Sequence, residues 1–83
     1  MTRTIVRRSS YHDSVALLRA SREMEAVLGV HRAAAIMGTP QNLALLREAG
    51  LLSTEAESAG PTDLVMAVLA DDAAAAEAAT AAA

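Results

Sequence analysis

Glycine and proline divide this chain into short segments of alternating character. The four glycines and two prolines fall at Gly29, Gly38, Pro40, Gly50 and the Gly60-Pro61 pair, between stretches that read in turn as strand, helix, strand, helix and strand. Thr2 to Arg8 holds Thr4, Ile5 and Val6 in a β-favouring run, and Ser9 to Asp13 is turn and cap material. From Ser14 to Leu28 the apolar residues Leu17, Ala20, Met24, Val27 and Leu28 recur at helical spacing. Arg19, Arg22, Glu23 and Glu25 are left to face solvent. Asp13 is the expected N-cap, and Gly29 is expected in the left-handed conformation that stops the helix, with Val30 folding back on Met24.

Val30 to Met37 reads as a second strand of small residues. In Gly38-Thr39-Pro40, Gly turns the chain, Thr39 caps, and Pro40 takes the first helical position, where no N–H is needed. The second helix is expected to run to about Ala49 and to stop at Gly50, with Leu51 returning to Leu46. Leu52 to Thr62 reads as an acidic loop, long against the usual ~4 to 6 residues, and loops of that length are often functional or mobile. Leu64 to Leu69 is apolar without alternation, the pattern of a strand covered on both faces. Asp71 and Asp72 then cap an alanine-rich stretch. The expected organisation is an α/β domain over residues 1–71 followed by a helical tail or linker over 72–83.

Alternation of this kind predicts a small three-stranded, mostly parallel sheet in β-α-β-α-β order with right-handed crossovers and a trailing Ala-rich helix. A ferredoxin-like α+β arrangement is the alternative. It would ask for an additional strand between the second strand and the second helix, and Gly38-Thr39-Pro40 leaves no room for one.

A domain of 83 residues buries only about 60% of the surface its unfolded chain exposes, so its core is thin and a partner would help it. Alanine is the commonest apolar residue, and Tyr11 is the only aromatic side chain. The absence of cysteine removes disulfides and thiolate metal sites together and suits a reducing compartment. Leu64 to Ala70 is too short to cross a bilayer, and Met1 to Ser10 lacks the apolar core of a signal peptide. A cytoplasmic location with no membrane association is therefore expected. The net charge of -3 is lopsided, since all seven arginines precede Gly50. A negative sum without stacking aromatics argues against nucleic acid as a partner.

In a parallel arrangement the turns at Asp13 and Thr39 share one edge, at the carboxyl ends of their strands. Free amides at Ser14 to Leu17 and at Gln41 and Asn42 would point outward there, aided by two helix dipoles. Such an edge favours phosphate or carboxylate, and Asp13, Ser14, Thr39 and Asn42 are the candidate binding residues. His12 lies beside them. Asp13 and Thr39 are also ordinary helix caps and Pro40 an ordinary helix starter, and only the coincidence of both turns on one edge raises the functional reading. Arg3, Arg7 and Arg8 form a weaker candidate for pairing an acidic surface or a phosphate. His31 reads as a surface residue, and Met24, Met37 and Met66 as core fillers. No Gly-rich phosphate loop, paired-histidine motif, cysteine motif or serine elbow is present, so no catalytic residue is identified and no metal ligand is expected.

Tyr11-His12-Asp13-Ser14-Val15, Ser21-Arg22, Gly29-Val30, Met37-Gly38-Thr39-Pro40 with Asn42, Gly50-Leu51 and Pro61-Thr62-Asp63-Leu64 resemble, in order and spacing, the amino-terminal domain of FdrA proteins. Those proteins resemble the succinyl-CoA synthetase α subunit and are linked to oxamate carbamoyltransfer in allantoin and purine nitrogen catabolism, working with two companion subunits. The resemblance implies a small subunit or amino-terminal fragment of a carbamoyltransferase or acyl-CoA synthetase-like complex, contributing an anion-binding edge or a docking surface. Larger FdrA-like and companion subunits would be its partners. Carbamoyl phosphate, CoA or a nucleotide would belong to the assembled complex, with no cofactor held by this chain alone. The phosphohistidine chemistry of the family would lie in later domains and would not pass to His12 or His31. The alternative is a structural or regulatory adaptor without catalytic residues.

Overall fold

Seven elements make up the computed structural model, which describes residues 1–82. They are β1 (Thr2–Arg7), α1 (Ser14–Glu25), β2 (Val30–Met37), α2 (Pro40–Glu48), α3 (Thr54–Glu57), β3 (Leu64–Ala70) and α4 (Ala73–Ala82). The local signals place most of them. Asp13 accepts the Ala16 amide and Thr39 the Asn42 amide, so both helices begin at side-chain caps. Gly50, at φ +76°, closes α2 in a Schellman motif: Leu51 N–H donates to the Leu46 carbonyl at 2.8 Å, and Gly50 N–H to that of Arg47 at 3.1 Å. The corresponding expectation at Gly29 is corrected. Helix α1 ends earlier, at an Ala26 cap. Gly29 (φ +93°) is instead the third residue of a tight turn in which Val30 N–H donates to the Val27 carbonyl at 3.1 Å.

The sheet has the order β1-β3-β2, and β3 runs antiparallel to both neighbours. The mostly parallel sheet expected from element alternation is thereby overturned. The reason lies between residues 38 and 63. A single helical pass, as in β1-α1-β2, carries the chain back along the sheet so that β2 points the same way as β1. The segment after β2 makes two passes, α2 and then Leu51 through α3, and so returns to the end of the sheet it left. Gly38 N–H donates to the Asp63 carbonyl at 2.9 Å, and Met37 pairs with Leu64. The acidic loop read over 52–62 contains α3, capped by Ser53 and anchored by the buried Ala56.

Strand β3 therefore fills the gap between β1 and β2. This is a split β-α-β unit, the arrangement at the heart of ferredoxin-like α+β folds. The alternative weighed from the sequence is the closer one, although among the described residues no fourth strand is added to the sheet.

Alternation along β3 divides the core into two layers. Leu64, Met66, Val68 and Ala70 face Met24 of α1 and Ala76 and Ala79 of α4, with Ala35 of β2 beside them. Val65 and Ala67 face Leu46 of α2, Leu51, and Ala56 of α3. Having helices on both faces explains why β3 is apolar throughout and interior, as its sequence indicated. The alanine-rich stretch is part of this construction. Asp72 caps α4 by accepting the Ala75 amide at 2.8 Å, and Ala76 and Ala79 are fully buried. Helix α4 packs on α1 and β3 through small side chains that let the backbones approach closely.

Candidate functional site

Strands β1 and β2 end, and β3 begins, at one end of the sheet, where Arg7, Leu64 and Met37 stand in register. Both predicted turns lie there. They are separated by the sheet itself, because α1 packs in one core layer and α2 in the other. Asp13 spends Oδ1 on the Ala16 amide at 2.8 Å. Thr39 Oγ1 accepts the Asn42 amide at 3.2 Å, and the Asn42 side-chain amide donates to the Met37 carbonyl at 2.9 Å. Ser14 opens α1 beside the Asp13 cap. Three of the four candidate residues thus carry local capping bonds. The two turns share an end of the sheet without meeting across one cleft.

The polar group that ties this end together was passed over in the sequence. Asp63, immediately before β3, accepts from the Gly60 amide at 2.8 Å, the Ser9 amide at 2.9 Å and Arg8 Nη1 at 2.9 Å. Arg8 also donates to the Ser58 carbonyl at 2.8 Å and reaches the Ser58 hydroxyl at 3.0 Å. These bonds hold the Asp63 carboxyl at about 2, below its ordinary 3.8, with the Gly60 and Ser9 amides first among the causes and Arg8 next. Arg8 therefore serves the fold, fastening β1 to the α3–β3 junction. Ser9 adopts a left-handed φ of +49° to bring its amide to the carboxylate.

On the α1 side, a cleft of about 230 Å³ lies between the first half of the helix and the ends of β1 and β3. Arg7, His12, Arg19 and Glu23 stand around it, and Leu64 and Met66 form part of its floor. His12 exchanges a hydrogen bond with Ser10 Oγ at 3.1 Å. Arginine content alone could not reveal this group, since Arg7 and Arg19 are brought together only by the packing of α1 on the sheet. His31 sits at the other end of the sheet, at the start of β2, and pairs with Asp71.

A split β-α-β sheet covered by helices, with capped turns gathered at one end, defines a small α+β domain of ferredoxin-like type. The family model described as AllF, heavy metal-associated domain, matches residues 1–83, and the chain belongs to that family. No curated protein and no solved structure matches. The family found corrects the expectation of an FdrA amino-terminal domain. Its description names a heavy metal-associated domain and neither an acyl-CoA synthetase nor a carbamoyltransferase, so the enzymatic roles drawn from that resemblance lose their support.

The family name raises the question of a metal, and the residues present do not fit a heavy one. Soft metals take thiolate and thioether ligands. The chain has no cysteine, and of its four methionines Met24, Met37 and Met66 are buried among apolar neighbours, which leaves Met1 as a single exposed thioether. Among the described residues no three His, Cys, Asp or Glu side chains are grouped to hold an ion. Among them too, no helix is long and apolar enough to cross a membrane.

Proposed function

We propose that this chain is a heavy metal-associated domain that works without a heavy metal, as a protein-docking module of an AllF-like protein. One observation carries the proposal. Helix α1 is apolar on both sides: Leu17, Ala20 and Met24 turn to the core, while Val15 and Leu18 remain 68% and 53% exposed on the outer side. Those two residues line a shallow depression of about 280 Å³ with Arg19, Arg22 and Glu23. Exposed apolar side chains rimmed by charge are the usual composition of a docking surface. Tyr11, just ahead of the helix, is 73% exposed and adds an aromatic group of the kind that anchors interfaces. The thin, alanine-built core fits a domain that gains stability from association.

The partner in this reading is another domain or subunit of the AllF-like assembly, with no nucleic acid or membrane involved, and the location is the cytoplasm. The test is sedimentation of the purified chain with the remaining polypeptides of that assembly. The wild-type chain should co-sediment, and Val15→Glu combined with Leu18→Glu should weaken association roughly tenfold or more, since buried charge is costly at an interface centre. Equal association of both proteins, with unchanged circular dichroism, would end the proposal.

A further inference from the structure

We propose that the cleft between α1 and the β1–β3 end of the sheet binds a small organic carboxylate. The cleft shares Arg19 and Glu23 with the docking depression, but Arg7, His12, Leu64 and Met66 line only the cleft and Val15 and Leu18 only the depression, so the Val15 and Leu18 substitutions test the docking face and ligand titration tests the cleft.

The chain carries a net -3, yet two arginines, Arg7 and Arg19, line this cleft with His12 and only one acid, Glu23. Among the described residues neither Arg7 nor Arg19 makes an ion pair, while Arg8, next to Arg7 in the chain, is fully engaged by Asp63 and Ser58. The two arginines are thus not used to hold the fold. Two arginines lining one cleft without an ion-pair partner suit a planar carboxylate, which a guanidinium can meet with two parallel N–H donors.

Leu64 and Met66 of β3 and Leu17 and Ala20 of α1 are apolar and line the same space. A bare inorganic oxyanion would desolvate against these groups without gain, whereas a short hydrocarbon chain buries apolar area there. A volume of about 230 Å³ falls below the ~300 to 1,000 Å³ of drug-sized pockets. The ligand is therefore short: a carboxylate on a few carbons or one small ring. Glu23 faces the same space and sets a limit on the ligand's charge, favouring one carboxylate over two.

The test is amide chemical-shift titration of the full chain with butyrate, benzoate, butyramide and inorganic phosphate at constant ionic strength. Butyrate or benzoate should give saturable shifts centred on Arg7, His12, Ala20 and Leu64, with dissociation constants in the roughly millimolar range expected of an open two-arginine site. Butyramide and phosphate should bind about tenfold more weakly or not at all. The Arg7→Ala, Arg19→Ala double variant should lose about tenfold or more in affinity. Glu23→Gln should gain roughly two- to fivefold by removing a like charge, and this reading stands even if the double variant fails to fold. Shifts that never saturate, or that centre elsewhere, overturn the proposal. So does butyramide or phosphate binding as tightly as butyrate, or a Glu23→Gln variant that binds no better.

Discussion

Arg8 and Asp63, 55 residues apart in the chain, meet with Nη1 and Oδ2 separated by 2.9 Å. The contact fastens the end of the first strand to the beginning of the last, at the point where the chain has just completed its two-helix excursion. The Asp63 carboxylate also accepts the Gly60 and Ser9 amides, so one charged group joins the turn after β1 to the turn between α3 and β3.

This arrangement predicts a pH dependence. Folding lowers the Asp63 pKa from 3.8 to about 2, so protonation favours the unfolded chain. The stabilisation is complete above about pH 4 and is lost as pH falls toward 2. Urea denaturation midpoints measured from pH 7 to pH 2 should show Asp63→Asn less stable than wild type at neutral pH. The difference should shrink as pH falls through the window between about 4 and 2. A difference independent of pH would show that the charge of Asp63 contributes nothing.

Gly38 and Gly50 should respond to alanine for different reasons. A Cβ on Gly38 would lie 2.7 Å from both the Ala59 Cβ and the Gly60 carbonyl oxygen, so Gly38→Ala should cost about 1–3 kcal/mol by overpacking. Ala59→Gly should relieve part of that cost. A Cβ on Gly50 meets nothing within 4 Å, but the residue holds φ +76°. Gly50→Ala should cost about 1–2 kcal/mol by strain alone, and Gly50→Asn less. Ala59→Gly should leave the Gly50→Ala cost unchanged, which denaturant titration of the two double variants checks.

Helix α4 should tolerate large side chains on one side only. Ala79 is fully buried and Ala78 is exposed. Ala79→Leu should lower stability by about 1–3 kcal/mol, and Ala78→Leu should stay within about 0.5 kcal/mol of wild type. Equal effects at the two positions would mean that α4 does not dock as described.

Much of the fold was legible because its signals are local. The caps at Asp13 and Thr39, the stop at Gly50 and the unbroken apolar run of β3 depend on a few adjacent residues. The sense of the sheet depends on how many helical passes separate β2 from β3. The second pass was hidden in a polar segment where Ser53 caps a helix of only four residues, Thr54–Glu57. Its sequence signal, a serine ahead of two acids, is weak beside the Gly60-Pro61 break that made the segment read as loop. Helix α4 gives a weak packing signal in the sequence because alanine buries little area per residue, yet close approach of backbones suits it to the crowded space over β3. At the candidate site, the capping residues were visible and the placing of Arg7 and Arg19 on one cleft was not, because only the docking of α1 on the sheet creates it.

The proposal that this heavy metal-associated domain works without a heavy metal is tested most directly by titration calorimetry of the full chain with Cu(I), Cd(II) and Zn(II). No stoichiometric binding tighter than roughly micromolar is expected for any of the three, because a chain without thiolates and, among the described residues, without a three-ligand cluster offers no preformed soft site. One-to-one binding in the nanomolar range, abolished by replacing His12 or His31, would contradict it.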